Sequence, residues 1–547
     1  MTNERGSSLL IVLLVSLVFM VLGLSIISAS VGGSKRTAYR NAEIVSTQDA
    51  INTIEQVIAE FRVEMQNKEK YPLLDDEITS DFNPKIEEFI NSMEQKYNGP
   101  QIQITDLTIA GRSYDYIKTD RYFTRVLELA VDANGRKVHQ NIILSPTPSF
   151  LEYAVGSIGM DNNQGLFLNG SSYTYGNVYA NDIYLRSIAN YTDSIKQQEA
   201  DTMFPAINGN VYVQRFWNGL NLEEYDTDDI RNLFYQQQAP TIKTEQKEFI
   251  DVNFRKSFAE KLNEITNTVT PITEEQIPAI NDPNRNGKIE SLINKYVSDS
   301  THLARSKANL YQKLASVPDY VVYSSGNGLT LTEDITIPED KWLVVHGDLT
   351  IFPFDNKDQP LTIDGNILVT GNVIIAGNEE SINEKENDVV SFDSTIYSLG
   401  TSTILNTNIE GFNDKQLVLL SLGTLTITRI NEFTDFEQHV LALEEATNIK
   451  PLKAFFYTDA DAELYGVGSL FYINGGVFAR DKLVINATRW NTTQLTDKKI
   501  SVPDIVEQLN RPSRFNVLYD KNVIIDQLDA LPRVERLQVV PDNLYIN

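Results

Sequence analysis

Asp459, Asp461 and Glu463 alternate in the segment YTDADAELY. On an extended strand, residues two apart project to one face, so the three carboxylates would share it. Gathered carboxylates of this kind can hold Ca2+ or divide the acid and base roles of glycosidic chemistry. A solvated strand face is the plainer reading in a chain this acidic, and no Lys or Arg stands beside them as a fixed partner. A second oxygen-rich stretch runs Asp282-Pro283-Asn284-Arg285-Asn286-Gly287-Lys288-Ile289. Asp282, Asn284 and Asn286 occupy the first, third and fifth places of an EF-hand-like loop, and Gly287 the sixth. The twelfth place, which should bring a bidentate carboxylate, is Ile293, while Glu290 stands at the ninth. The same residues also make an Asx turn that caps a helix starting near Lys288, and this is the favoured reading.

Other chemistries find no support. The chain has no cysteine, which excludes disulfides, thiolate metal sites and a cysteine nucleophile. Its four histidines, His139, His302, His346 and His439, are too far apart in sequence for a local zinc motif. No nucleophile elbow, phosphate loop or dinucleotide fingerprint occurs, so the expectation is a protein without cofactor or catalytic site. A net charge of -27 argues against nucleic acid as a partner, because phosphate binding needs clustered Lys and Arg, and taken over the whole chain it also argues against docking on anionic lipid through a basic patch. The 25 tyrosines and 24 phenylalanines could offer a glycan-binding face, but such residues more often fill cores and ladders.

The elements that would carry these residues begin with a hydrophobic segment. Leu9 to Val31 carries no charge and is long enough for the roughly 30 Å hydrocarbon core of a bilayer. Ser28-Ala29-Ser30 imitates a signal-peptide cleavage site, but the apolar run is longer than such a peptide requires. Lys35, Arg36 and Arg40 follow the span, and taken alone would favour keeping that side in the cytoplasm. Gly32-Gly33 predicts a bend. Beyond it Ala38, Ala42, Val45, Ile54, Ile58, Phe61 and Met65 recur every three or four residues, which predicts an amphipathic helix ended by Pro72.

Residues 101–146 read as strands, with Asn134-Gly135 as a hairpin turn between YFTRVLELAV and KVHQNIILS. From about Ala154 the texture changes. Gly170, Gly176 and Asp182 are spaced by six. In DGNILVTGNVIIAGN the pairs Gly365-Asn366, Gly371-Asn372 and Gly377-Asn378 repeat every six residues. A looser version runs through Gly468, Asn474, Arg480 and Asn486. Short β-branched runs between Gly-Asn corners fit a parallel β-helix better than hairpins of a sandwich, with Gly serving for positive φ at the corners. Between the β regions, Phe254, Phe258, Leu262 and Ile265, then Ile289, Leu292, Ile293 and Tyr296, then Leu310 and Leu314, mark helix faces from about Asn221 to Val317.

The leader Met1 to Gly6, ending in Glu4-Arg5-Gly6 before Ser7-Ser8-Leu9-Leu10-Ile11, resembles the class III leader of type IV pilins. The stretch ERGSSLLIVLLVSLVFMVLGLSIISAS is similar to the N-terminus of PilX-type minor pilins, and FFYTDADAELYGVGSLFYINGGVFARDKLVIN with the tail from Arg514 is similar to ectodomains of PilX-like pilus-assembly proteins. The resemblance implies cutting by a prepilin peptidase between Gly6 and Ser7. Major pilins have Phe where Ser7 stands and Glu where Ile11 stands. In them that Glu pairs with a neighbouring subunit's N-terminal amine, so its absence implies a minor, tip or priming subunit. Other pilin-like subunits and the pilus-assembly machinery are the implied partners.

The expected fold is mainly β with α: an N-terminal transmembrane, pilin-like helix, a small α+β head, then a parallel β-helix-like solenoid with a helical insertion. The expected division is a leader at 1–6, a transmembrane helix at 7–33, a pilin-like helix and β-meander at 34–150, the start of the solenoid at 151–220, a helical insertion at 221–317, and solenoid with C-terminal tail at 318–547. The lipid bilayer is the expected partner of residues 9–31. A single-pass protein of the cell membrane with its body extracytoplasmic, at the cell surface or in a pilus, is the expected setting. The expected function is structural, in pilus assembly or adhesion. The alternative is a membrane-tethered carbohydrate-active or glycan-binding β-helix protein.

Overall fold

Apolar faces must be buried, and this chain buries them in two units, Met1–Pro146 with Glu535–Asn547, and Thr147–Val534. The structure, a computed structural model, describes residues 5–547 except 68–69, 72–78, 98–101, 134, 161–162, 194–195, 220–223, 225–229, 245–248, 267–269, 297–298, 318, 340, 354–359, 378–387, 431, 438–448, 496–498 and 547.

In the first unit one helix, α1, runs without interruption over Arg5–Met65. The bend expected at Gly32-Gly33 does not break it. Two glycines weaken a helix by about 1 kcal/mol each, which is small against some sixty residues of propagating hydrogen bonds. Burial begins at Ala50, so Ala38, Ala42 and Val45 stay exposed, whereas Ile54, Ile58, Phe61 and Met65 are buried as their spacing requires. Pro72 lies outside the described residues. A second helix, α2 (Thr79–Lys96), was not expected, because Pro84 inside it reads as a breaker. Both helices share one core with a four-stranded antiparallel sheet: Ala50, Ile54, Val57, Phe61 and Met65 meet Ile86, Ile90 and Met93 and the strand residues Ile104, Leu127, Leu129, Val131 and Ile142. The hairpin closes as the sequence predicts, with Ala133 facing Arg136 and Gly135 at φ 89°, while Asn134 is outside the described residues. The fourth strand is the C-terminal Gln538–Ile546, antiparallel to Arg136–Ser145. The tail therefore belongs to the first unit and not, as expected, to the second. Val539 on that strand completes the core under the helices, which a three-stranded sheet would leave open.

The second unit is dominated by a large parallel sheet whose strands pair with others far along the chain. One in-register ladder reads Val321, Leu343, Ile367, Ile396, Leu419, Phe456, Val477, Val155, Val178 and Val211, ending at Ile242. A second reads Leu331, Ile351, Ile375, Ile404, Ile427, Leu464, Ile485, Leu168 and Leu185. A third begins Ile335, Ile363, Phe392. Residues of all three ladders fall in one hydrophobic core. Each buried Ile, Leu or Val adds about 1.5–3 kcal/mol, and in-register pairing of like residues repeats that gain from strand to strand.

Strands of the first ladder are buried on both faces, as Trp342–Val345 and Leu417–Ser421 show, which explains their unbroken apolar runs. Their outer face is covered by the helix Phe254–Thr266, whose Phe254 and Phe258 meet the ring of Tyr397, and by the C-terminal segment around Gln527. The helix faces at Phe254, Phe258, Leu262 and Ile265, at Ile289, Leu292 and Ile293, and at Leu310 and Leu314 are buried as predicted. Nothing is described of the Tyr296 side chain, and Asn221 lies outside the described residues. The region expected to be a helical insertion also contributes strands, Thr241–Lys243 and Leu303–Ala304, which occupy opposite extremes of the first ladder. Ile230, Leu233 and Phe234 join the core with the strands near the first extreme, and Leu310 and Leu314 with those near the second.

The chain thus enters its own ladder in the middle. Val155 pairs with Val477 on one side and Val178 on the other. The strand Phe515–Tyr519 fills a matching gap between Phe471–Ala479 and Tyr173–Tyr175. An antiparallel hairpin, Ile188–Asp193 with Lys196–Asp201, interrupts this part and was not read from the sequence.

Ile367 and Val373 lie on consecutive strands, Asn366–Val369 and Val373–Ala376, each with parallel neighbours on both sides. They do not form a hairpin with each other. The three glycines between such strands act differently. Gly365 has φ 109°, in the region that side chains avoid. Gly371 and Gly377 do not, and are needed for closeness instead: a Cβ would meet Asp348 Oδ1 at 2.3 Å at Gly371, and the Asn406 carbonyl at 1.9 Å at Gly377. Asn372 Oδ1 accepts from Thr401 N–H at 2.9 Å, and Asp348 Oδ1 accepts from Asn372 N–H at 2.7 Å, so side chains at the strand ends link segments 29 and 24 residues apart. Asn378 lies outside the described residues. In the looser series Gly468 and Arg480 fall between strands, whereas Asn474 and Asn486 fall inside them.

Candidate functional site

The first candidate is the apolar half of α1. Its side chains from Leu9 to Val31 are exposed almost throughout, Leu9 at 73% and Ile26 at 68%, and among the described residues no protein surface covers them. At 1.5 Å per residue the 23 residues extend about 34 Å, enough for a bilayer core. This long apolar helix near the N-terminus is a candidate membrane span. Gly6 and Ser7 lie in its first turn, and residues 1–4 are outside the described part.

The second is the loop at Asp282. Asp282 Oδ1 accepts from Asn284 N–H at 2.9 Å, and Oδ2 binds Lys288 Nζ at 2.6 Å. That hydrogen bond holds the Asp282 carboxyl below its ordinary value. The Asn284 carbonyl accepts from Lys288 N–H, and the helix Arg285–Tyr296 begins at once. Asp282, Asn284 and Asn286 therefore sit in a helix-initiating turn whose carboxylate already has an ammonium partner. Arg285 anchors the turn by donating to the Leu399 carbonyl at 2.5 Å.

The third is the carboxylate series. Asp459 and Asp461 stand in the corner between strands Leu452–Thr458 and Ala462–Gly466, so they do not share a strand face with Glu463. The structure supplies instead the cation that sequence proximity could not reveal. Arg480 binds Asp459 Oδ1 at 3.1 Å with one amino group and Asp251 Oδ2 at 2.9 Å with the other. Tyr457 donates its hydroxyl to Asp459 Oδ1 at 3.1 Å. Burial pushes Asp459 up to about 6 in spite of Arg480, and raises Asp251 as well. Arg480 follows Ala479, whose strand neighbour in register is Thr458, so one ladder step brings the corner carboxylate to the guanidinium.

A fourth cluster was not expected. Asp364 and Asp393 are neighbours in register on adjacent strands, and Lys415 binds Asp393 at 3.2 Å. Gln527, buried, donates to the Gln416 carbonyl and accepts from Thr395, while Asp529 accepts from Asn366 at 2.7 Å. Burial, with Asp520 and Asp393 nearby, pushes Asp526 up to about 6. Arg514 is fully buried and donates to the carbonyls of Gly468, Ser469 and Thr434, with burial lowering it to about 10. These groups hold the C-terminal segment and neighbouring loops together. Only the polar residues themselves, in an apolar setting, hint at them in the sequence.

Three histidines are engaged locally. His346 contacts Glu290 and Ser324, His302 stacks on Tyr320, and His139 stacks on Tyr545. His439 lies outside the described residues. Among the described residues no three His, Cys, Asp or Glu side chains gather into a metal-binding group.

No protein-family model matches this chain, and no curated protein matches it in sequence. Among solved structures, it is similar to the competence-associated pilin ComZ from Thermus thermophilus at 9% identity, over 78% of this chain and 81% of that one, with a TM-score of 0.26, a likeness too slight to carry fold or function across.

Proposed function

We propose that this chain is a membrane-anchored, extracytoplasmic structural protein of the type IV pilus-like kind, a minor subunit in assembly or adhesion. In this reading a prepilin peptidase cuts after Gly6, the apolar half of α1 holds the chain in the membrane, and Thr147–Val534 is a parallel β-helix displayed outside. The carrying observation is the division of labour within α1: Leu9 to Val31 bare, Ala50 to Met65 packed on an antiparallel sheet, in one unbroken helix. A helix that is lipid-buried in its first half and head-packed in its second is what a pilin-like subunit requires. The in-register parallel ladders support the β-helix. Pairing of Asp251 and Asp459 on Arg480 favours a structural over a glycosidic role for those carboxylates.

Expression with a prepilin peptidase, followed by mass spectrometry of the mature N-terminus, tests the reading. Cleavage between Gly6 and Ser7 is expected. An intact Met1, or a first residue at Ala29 or beyond, would overturn it.

A further inference from the structure

Charge is segregated along α1. No charged residue occurs between Arg5 and Lys35, and then three cations, Lys35, Arg36 and Arg40, come before the first acid, Glu43. They form a local excess of positive charge in a chain of net charge -27. All three are exposed, and among the described residues none has an ion-pair partner. The nearest acid along the helix is already engaged, because Glu43 binds Arg136 at 2.5 Å. Arg36 and Arg40 are four apart, a like-charge pair that weakens a helix unless an anion lies between them.

Helix geometry puts these groups on one side. At about 100° per residue, Lys35, Tyr39, Arg36 and Arg40 fall within an arc of about 140°. Tyr39 is 76% exposed, and tyrosine is favoured where hydrocarbon meets water. Height agrees with side. Lys35 and Arg36 lie about 6–8 Å beyond Val31, within or just outside the band of about 5–7.5 Å that headgroups occupy on each side of the core. Arg40 is one turn further. Side chains on an α-helix lean towards its N-terminus, which here is the membrane side, so all three reach back.

We propose that Lys35, Arg36 and Arg40, with Tyr39, form a collar that binds the phosphates of anionic lipid at the surface where α1 leaves the bilayer. The inference rests on the membrane-span reading and adds a lipid class and named residues to it. It holds for either orientation of the span, since the collar always lies on the side of the body. It also accounts for cations that would otherwise oppose export of the body: their role is to grip the leaflet they emerge from.

The test uses the full chain in detergent, with native mass spectrometry during titration by phosphatidylglycerol or phosphatidylcholine. The wild type should prefer phosphatidylglycerol at least tenfold. Each cation near an anionic surface accounts for about a five-fold change, so Lys35→Gln/Arg36→Gln/Arg40→Gln should weaken phosphatidylglycerol binding about 100-fold. Arg62→Gln, an exposed cation on the same helix beyond the collar, should change nothing. Equal affinity of wild type for both lipids, or unchanged binding by the triple variant, would overturn the proposal. Displacement of the lipid by inorganic phosphate would also overturn it, by assigning a free-phosphate site. Flotation with phosphatidylcholine vesicles reads the span by itself: wild type that fails to float defeats the span, whereas normal flotation without phosphatidylglycerol preference defeats the collar alone.

Discussion

Ile374 and Ile375 are adjacent isoleucines of one strand, and the ladder assigns them opposite faces. Ile375 is fully buried between Ile351 and Ile404, whereas Ile374 points outward and is 38% exposed. Truncation to alanine removes three carbons in each case, about 2.4 kcal/mol of transfer free energy when burial is complete. At Ile375 the hole cannot collapse, because the neighbours above and below are held by their own strands, so a cavity term should bring the loss of stability to about 3–4 kcal/mol. At Ile374 only about three-fifths of the transfer term applies and no cavity forms, which leaves about 1.5 kcal/mol or less. All three tryptophans, Trp217, Trp342 and Trp490, lie in Thr147–Val534, so their fluorescence during urea unfolding reports on this unit. The expected result is a midpoint lowered at least twice as far by Ile375→Ala as by Ile374→Ala, with similar slopes. Because a shift of one residue exchanges the faces of a strand, the reverse order would refute the register, and with it the stacking on which the β-helix reading stands.

Asp526 and Asp459 are both pushed up to about 6 by burial. A carboxylate with a raised folded-state pKa contributes stability that is full below about pH 4 and is lost as pH rises through about 6. Thermal unfolding followed by tryptophan fluorescence should therefore have a higher midpoint at pH 5 than at pH 7.5. Asp526→Asn should stabilise the protein at pH 7.5 by about 1–3 kcal/mol and narrow that gap, and an unchanged gap would count against the assignment. A methyl at Gly377 has a backbone carbonyl in its way, while at Gly326 it meets open space and only the φ of 85° opposes it. Gly326→Ala should cost about 1–2 kcal/mol and Gly377→Ala distinctly more in the same urea assay; equal losses would show that the corners are not as close as described.

Features set by neighbours in sequence were legible, and features set by distant partners were not. The span from Leu9 to Val31 is a local property of uncharged residues. The buried face from Ile54 to Met65 follows from helical spacing alone. Gly365, Gly371 and Gly377 marked real boundaries between strands, although only the first is explained by positive φ. The sequence reading gave the acidic corner no cation, because Arg480 reaches Asp459 only through strand pairing and Asp251 comes from outside the ladder. It left the last residues with the wrong unit for a similar reason, since Gln140 finds its partner in Asp542, 402 residues away. α2 was hidden by Asn83-Pro84, which in isolation says turn, whereas tertiary packing of Ile86, Ile90 and Met93 holds a helix.

Entry into the ladder at its middle has a consequence for how the chain must be made. Ser157 and its partner Arg480 are 323 residues apart, so the first strands of Thr147–Val534 to leave the ribosome or a translocon have one edge with nothing to pair against until most of the chain has followed. Closing so long a loop is slow, and an unpaired apolar edge invites other chains meanwhile. Folding from 155 towards 243 can build upon itself, but its lower boundary is sealed only when Phe471–Ala479 and then Phe515–Tyr519 arrive. A nascent chain halted before residue 519 would carry that open seam, leaving strand edges that other chains could pair with.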